Sequence, residues 1–540
     1  MFRILIADSL PGTVLQGYQS ETDIVIDDRA GISQEELRQI LPDYDGMVVR
    51  SRTKVTAEVL SSSGRLKVIG RAGAGVDNID TAEATRRGIV VMNTPGGNTI
   101  AATEHTIALM LAVMRNIPQA YLSMKEQKWD RKAFMGRELF GKTIGVIGLG
   151  KIGRAVAQRL TGFGVRLLGY DPLLTQEMAN RLGIELVDFE SLLTEADVIT
   201  IHVPRMPQTM NLLNAKNLKK CKPGVIILNC ARGGIINEQD LLAALNEGQV
   251  GAAAIDVYEK EPPANWELVM HPRVIATPHL GASTEEAQIK VADQILQQMI
   301  EYFRKNVALN AVNFVSVDEK LQPLIAPYFQ LALRLGIFLS QVRSARVQGV
   351  AIRFYGDITE LPLEPIASHL LVGAFKANPL LPETHNVELI NMVNALTVAR
   401  EKGIEIEIAK KDHPLTSHTN LIACDFSTEE GTVHAAGTVY AKDIYRLVEF
   451  GSYITDAELA DKMVLVENDD VPGVIGKVGT ILGEKRINIG HLSSGRFKEA
   501  RTAMNIFNVE GDLTADLGQE LESIDHVHRV WLVDMDSEMV

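Results

Sequence analysis

Residues 144–171 read IGVIGLGKIGRAVAQRLTGFGVRLLGYD, and the fold is decided here. Residues 144–147 are a short apolar run, the pattern of a strand buried in a parallel sheet. Gly148, Gly150 and Gly153 follow with the spacing G-x-G-x-x-G. Residues 155–160 have helical periodicity, and 165–170 read as a second strand that ends on Asp171. Strand, tight turn, helix, strand and acid in that order place a dinucleotide pyrophosphate on a helix N-terminus and a carboxylate on the adenosine ribose. Gly148 permits the turn, Gly150 lets the backbone approach the phosphates, and Gly153 lets the helix pack on the strand. Asp171 is followed by Pro172-Leu173-Leu174, with no arginine. The carboxylate would repel the extra phosphate of NADP, so the pattern favours NAD.

Outward from this stretch, residues 144–279 continue as an α/β unit, with further strands expected at 197–202, 224–229, 251–257 and 274–277. Upstream, strand patterns at 4–7, 24–27, 47–49, 68–69 and 89–92 alternate with helical ones, such as 33–41 with Ser33 as N-cap. They predict a second, smaller parallel sheet. An apolar helical stretch at 101–115 carries the chain across, and an amphipathic one at 285–303 is long enough to return, leaving a ligand cleft between the two units. The expected division is therefore 1–99 with 283–307, and 100–282.

Residues 308–456 read as a third, α+β unit, with strands at 350–355, 404–408, 421–424 and 433–439 and helices at 332–342, 361–369 and 387–399. Its histidines, His369, His385, His413, His418 and His434, have no ligand spacing, so no metal is expected. Residues 462–540 have a β-α-β-β-α-β rhythm, which predicts a ferredoxin-like module.

The chain has 540 residues, 46% of them hydrophobic, and a formal charge of -14. That length implies several cores. The acidity, with no long basic tract, argues against a nucleic-acid partner. The longest apolar stretches, such as 107–114, are too short to span a bilayer, so no membrane is expected. Cys221, Cys230 and Cys424 are too few and too scattered for a disulfide scaffold, which fits a reducing cytoplasm.

Polar residues gather where strands end. Arg50 and Arg71 follow two strands of the first unit, where they would form a fork for a carboxylate or phosphate. In the second unit Arg232, Glu261 and His279 lie in strand-end loops. Oxidation of a secondary alcohol needs a group that removes the hydroxyl proton as hydride leaves carbon, and an imidazole does this near neutral pH. Glu261 would orient the His279 ring, and Arg232 would hold a 2-hydroxy or 2-oxo carboxylate.

Seven stretches, GRAGAGVDNID (70–80), VMNTPGGNT (91–99), WDRKAFMG (129–136), GKTIGVIGLGKIG (141–153), NCARGGIINE (229–238), AIDVYEKEPP (254–263) and PHLGAST (278–284), occur in one order. In this the chain resembles the D-isomer-specific 2-hydroxyacid dehydrogenases, and more narrowly their long, phosphoglycerate-oxidising branch. The resemblance implies a Rossmann-type cofactor domain inserted in a flavodoxin-like substrate domain, then an intervening domain and an ACT domain. It implies NAD as cofactor and oxidation of 3-phosphoglycerate to 3-phosphohydroxypyruvate, opening L-serine biosynthesis.

For the site, the resemblance makes Arg232 the carboxylate ligand, His279 the acid/base and Glu261 its assistant. It adds cofactor contacts from Lys151, Ile152, Cys230, Ala231, Asp256, Leu280, Gly281 and Ala282, and substrate contacts from Gly73 and Asn98. Arg131 would reach a neighbouring subunit's substrate, and the protein would be a homodimer or homotetramer. An effector, L-serine, would meet Asn468, Asp470 and Asn488. Arg205 departs from the family, which usually has leucine there. Competing expectations are another D-2-hydroxyacid dehydrogenase or 2-oxo acid reductase, acting on glyoxylate or 2-oxoglutarate, and a dinucleotide-sensing scaffold.

Overall fold

The computed structural model describes residues 1–305, 307–315, 317, 321–343, 345–377, 389–412, 418–441, 443–497 and 499–535. His385, His413 and part of the helix expected at 387–399 lie outside the described residues.

Among the described residues, twenty-two strands fall into four sheets. The first holds β1 (Phe2–Ile6), β2 (Ile24–Asp28), β3 (Gly46–Val49), β4 (Val68–Arg71) and β5 (Val90–Met92), all parallel in the order β2-β1-β3-β4-β5. This is the flavodoxin-like order. The helix Glu285–Lys305 returns to it, as expected: Val291, Ile295 and Met299 join Ile4, Ile6, Val48 and Val68 in one core. It lies very close, since a Cβ on Gly70 would stand 2.5 Å from Met299 Sδ and 2.6 Å from Ile295 Cγ1.

The second sheet holds β6 (Thr143–Ile147), β7 (Arg166–Tyr170), β8 (Glu185–Leu186), β9 (Val198–Ile201), β10 (Val225–Asn229), β11 (Val250–Ile255) and β12 (Val274–Ala276). Its order, β12-β11-β10-β9-β6-β7-β8, is the doubly wound dinucleotide-binding order with one strand added at the far edge. The edge strand β8 has two residues, too few to read as a period. The crossing helix Thr99–Arg115 buries Leu109, Met110, Val113 and Met114 against this sheet's core.

The expected boundary after residue 307 needs correcting. Val312 N donates to Val91 O at 2.8 Å, and the Asn313 amide accepts from Val91 N and donates to Ile89 O. The linker thus seals the open edge of β5, which would otherwise expose unpaired backbone. The chain leaves the first unit only after Asn313.

The third sheet, in the order β14-β13-β15-β16-β17-β18, holds β13 (Val347–Tyr355), β14 (Glu405–Lys411), β15 (Leu421–Thr428), β16 (Gly431–Ala441), β17 (Ile444–Phe450) and β18 (Tyr453–Glu458). The last two strands were not foreseen, and the expected boundary at 456 falls inside β18. The helix Leu363–Ala377 runs eight residues past its expected end, whereas among the described residues the α-helix expected at 387–399 begins only at Ala395 and runs to Glu401. There Asn391 and Asn394 hydrogen-bond the local backbone and hold a turn in place of the helix. The helix Gln322–Val342 is long and apolar enough to cross a membrane, so 107–114 is not the longest apolar stretch. Of its most apolar window 56% is buried inside the fold, where it packs against Leu363–Ala377 and the sheet.

The fourth sheet, β20-β21-β19-β22, comprises β19 (Lys462–Asp469), β20 (Asn488–Phe497), β21 (Thr502–Glu510) and β22 (Val527–Asp534), with helices Val474–Glu484 and Ala515–Glu522 between strands. This is the βαββαβ rhythm read from the sequence.

Candidate active site

The glycine-rich turn forms as its sequence requires. Gly148 has φ +89°, and a Cβ there would stand 2.7 Å from His202 O. A Cβ on Gly153 would stand 2.0 Å from Gly148 O, so helix and turn touch only because residue 153 is glycine. Gly150 is different: nothing lies within 4 Å of its Cβ position, and it is the N-cap of the helix Lys151–Leu160. Open space at a helix N-terminus fits a pyrophosphate. Asp171 accepts from Leu149 N at 2.8 Å and Leu173 N at 2.9 Å, which pins the turn and sets the carboxylate beside it.

Lys151 and Asp256 are engaged within the protein. Lys151 Nζ donates to Pro95 O at 3.1 Å, tying the glycine-rich helix to the loop that ends at Asn98. Asp256 is fully buried and accepts from Thr277 Oγ1 at 2.6 Å, Leu280 N at 2.7 Å and Gly281 N at 2.8 Å. His105 Nε2 stands 3.2 Å from the same carboxylate. Burial works to raise the Asp256 pKa, but His105 and Thr277 prevail and hold it below the ordinary carboxylate range. Asp256 therefore shapes the loop of Leu280, Gly281 and Ala282. Ile152 packs on the sheet core, and burial pushes the Cys230 thiol up to about 12, leaving it uncharged and inert. Ala231 N donates to Asn229 Oδ1 at 3.0 Å, and Asn229 Nδ2 to Arg232 O at 2.9 Å, fixing the loop that carries Arg232.

His279 sits at φ +55°, with Nδ1 2.8 Å from Glu261 Oε2. Burial alone would raise the Glu261 pKa, but the His279 contact dominates and lowers it. Glu261 is placed by its loop, where Tyr258 N donates to Glu261 Oε1 at 3.3 Å and Tyr258 OH to Thr277 O at 2.9 Å. The Arg232 loop abuts the same segment, since a Cβ on Gly233 would stand 1.7 Å from Tyr258 O. The three residues expected to act together are thus carried by adjoining loops.

Arg50, Arg71 and Arg232 also converge. Arg71 is mostly buried; burial, then repulsion from Arg232 and Arg50, pulls its pKa down to about 10, and its Nε has no hydrogen-bond partner among the described residues. The Arg71 guanidinium passes through the space a Gly73 Cβ would fill, 1.5 Å from Nη1, and Gly73 has φ +145°. A Cβ on Gly75 would likewise stand 2.2 Å from Arg232 Nη2. Arg232 Nε donates to Asp77 Oδ2 at 3.1 Å, and Arg50 Nη1 to Ser9 O at 3.2 Å. Three crowded guanidiniums faced by only two carboxylates, the exposed Asp77 and the buried Asp8, call for an anion.

Arg131 lies apart, on an exposed turn beside Trp129 and Phe134. Arg205 is exposed and lies over Gly234. Asn98 caps no amide with its side chain. In the fourth sheet Asn468 is buried and accepts from Asn505 Nδ2 at 2.7 Å, Asp470 lies 3.5 Å from Arg496, and Asn488 donates to Glu510 at 3.1 Å. No direct contact joins these three. No group of His, Cys, Asp and Glu among the described residues could hold a metal.

The sequence reading missed Asp8, Asp77 and His105. Asp8 is buried and accepts from Arg50 N at 2.6 Å and Thr53 Oγ1 at 2.7 Å, shaping the Arg50 loop. Its only signal was a buried-strand terminus that ends in an acid. His105 was a lone polar residue in an apolar helix.

The sequence profile of the D-isomer specific 2-hydroxyacid dehydrogenases, NAD binding domain, matches residues 107–281. Profiles of the D-3-phosphoglycerate dehydrogenase intervening domain and of the ACT domain match 324–451 and 462–526. D-3-phosphoglycerate dehydrogenase of Bacillus subtilis is 39% identical over 536 residues, covering 99% of this chain and 100% of that protein. The Archaeoglobus fulgidus protein of the same name is 39% identical over 528 residues, covering 97% and 98%. Among solved structures, D-lactate dehydrogenase from Aquifex aeolicus, complexed with NAD and lactic acid, superposes with a TM-score of 0.51 at 26% identity, covering 58% of this chain and all of that one. Fold and site define a nicotinamide-linked 2-hydroxyacid dehydrogenase. The chain belongs to the D-3-phosphoglycerate dehydrogenase family within that class.

Proposed function

We propose that this chain catalyses the NAD-dependent oxidation of 3-phospho-D-glycerate to 3-phosphohydroxypyruvate, the first step of L-serine biosynthesis. The observation that carries the substrate is the cluster of Arg50, Arg71 and Arg232, one guanidinium for a carboxylate and two left for a phosphate. Arg232 exchanges its exposed Asp77 partner for the substrate carboxylate, a change that costs little because exposed ion pairs are weak. His279, held through Nδ1 by Glu261, receives the substrate hydroxyl proton on Nε2 as the carbon becomes a carbonyl. Glu261 stabilises the imidazolium that results. NAD, when bound, takes the hydride. Gly148, Gly150, Gly153 and Asp171 hold its pyrophosphate and ribose, and the 277–282 loop borders its reactive end.

Purified protein given NAD with 3-phosphoglycerate, D-glycerate or D-lactate decides the substrate by its rate of NADH formation. Preference for an unphosphorylated acid overturns it. H279A is expected to lose about 10²–10⁴-fold in kcat with near-normal NAD affinity. Full retained activity would refute the assigned role.

The working unit is proposed to be a cytoplasmic homodimer or homotetramer. Helix Ile117–Lys125 buries none of its residues and, with Trp129 and Met135, exposes a broad apolar surface suited to a second copy. Arg131 lies on that surface, where it would reach the partner's substrate. Asn468, Asp470 and Asn488 are proposed to serve an amino-acid effector, which serine titration of the same assay tests.

A further inference from the structure

A cavity of 420 Å³ lies where the first unit, the linker and the helices of the third unit meet, and no residue of the loops that carry His279 and Arg232 lines it. Its volume falls in the range of small-molecule sites. Lys305 and Arg400 line it, and the side chain of neither makes an ion pair or hydrogen bond among the described residues. Glu364 is the single carboxylate in the lining, so positive charge is in excess. His369 also lines it, with Nδ1 2.7 Å from Pro365 O. That bond places the ring proton on Nδ1 and leaves Nε2 as an acceptor. Burial lowers the His369 pKa and keeps the ring neutral. Phe329 stacks on it, with centroids 4.1 Å apart and planes 9° from parallel, and gives the cavity a flat apolar wall. Cations without partners, an unused acceptor and an apolar wall form a binding inventory that the dehydrogenase reaction does not use.

We propose that this cavity binds a small monocarboxylate carrying a hydroxyl or ammonium donor on the carbon beside the carboxylate. The carboxylate meets Lys305 and Arg400, the donor meets His369 Nε2, and the carbon skeleton lies on Phe329. Such a ligand touches both halves of the molecule at their joint. At that joint Arg86 of the first unit pairs with Glu401 at 3.1 Å, and Asn394 Nδ2 donates to Arg86 O at 3.2 Å.

Amide hydrogen exchange on the full-length protein tests this with three probes of one skeleton: L-valine, 2-hydroxyisovalerate and isovalerate. Valine or hydroxyisovalerate should slow exchange in peptides covering 363–377 and 395–401, and whichever is stronger identifies the donor as ammonium or hydroxyl. Isovalerate, which lacks the donor, should need at least tenfold higher concentration. The K305Q/R400Q protein should lose the protection while keeping basal dehydrogenase turnover, which also reports that it is folded. L396W, which fills the cavity without touching its charges, should lose it too. No protection by any probe, protection equal for isovalerate, or protection unchanged in both variants would each overturn the proposal.

Discussion

At the scale of single residues the site is a compromise between anion binding and stability. Arg71 is mostly buried and faces two other guanidiniums, and its pKa is drawn down to about 10. A buried charge without a matched partner destabilises a fold until its ligand arrives. Replacing it by an apolar side chain of similar length should therefore act in opposite directions on stability and on substrate binding. R71M is expected to raise the ligand-free melting free energy by about 0.5–2 kcal/mol while raising KM for the phosphorylated substrate at least tenfold. Thermal melts and steady-state kinetics on one preparation check both; a variant that melts lower and binds normally would show that Arg71 is structural. The motif residues were legible because each sits in a strand-end loop with a chemical reason to be there. Asp8, Asp77 and His105 were not, because their work is to orient another side chain, and partners 42, 155 and 151 positions away leave no local pattern. Gly73 was expected as a substrate contact, but in the structure Gly73 and Gly75 act sterically: they leave room for Arg71 and Arg232.

At the scale of elements, periodicity recovered the strands of the first two sheets, the two-residue β8 excepted, because parallel strands buried on both faces are continuous apolar runs. It failed on β17 and β18: in β18 Tyr453, Thr455 and Ala457 are buried while Ile454 is exposed, so the buried face carries a polar residue and the open face an apolar one. Helix pairing was also invisible. A Cβ on Gly336 would stand 1.9 Å from Leu370 O, and one on Gly373 would stand 2.2 Å from Leu333 O, so helices Gln322–Val342 and Leu363–Ala377 meet backbone to backbone. G373A should force them apart at a cost of about 1–3 kcal/mol, seen as a lower denaturation midpoint for this unit with unchanged kcat. In the neighbouring sheet His434 lies between Asp425 at 2.5 Å and Glu449 at 2.9 Å, with Arg353 on the other side of Asp425. The two carboxylates lift the His434 pKa to about 9. Its folded pKa exceeds its unfolded one, so its contribution to stability is complete below about pH 6.5 and disappears as pH rises through 9. Asp425 is raised by burial but lowered more by His434 and Arg353, so its own contribution fades only in acid. The melting-temperature gap between wild type and H434Q should thus be widest near pH 6 and narrow by pH 9.5; a gap constant with pH would mean that no charged histidine is involved.

At the scale of the whole molecule, the sequence pattern suggests a regulatory tail appended to an enzyme, but the packing does not. The fourth sheet has two covered faces. Val464, Val466, Phe507 and Val509 meet the module's own helices, while Met463, Leu465, Met504, Ile506 and Val533 enter the core of the third unit beside Phe338 and Phe450. Trp531 packs edge-on against Phe450 at 5.5 Å, and the Gln341 side chain makes paired hydrogen bonds with the backbone of Asp534. Linear patterning reports that a residue is buried and is silent on which unit buries it. A chain ended before Lys462 would therefore expose the other half of a shared core. Each large apolar side chain so uncovered costs about 1.5–3 kcal/mol, and several together match the whole net stability of a domain, about 5–15 kcal/mol. Truncation should melt the third unit, seen as strong dye binding to exposed apolar surface and loss of its cooperative transition. The first two units have separate cores and should keep their own transition and their NADH-forming turnover. A truncated protein with an intact third-unit transition would establish the tail as an independent module. Loss of both transitions together would instead mean that the joint at Arg86–Glu401 and Asn391–Gly88 makes the whole chain one cooperative body.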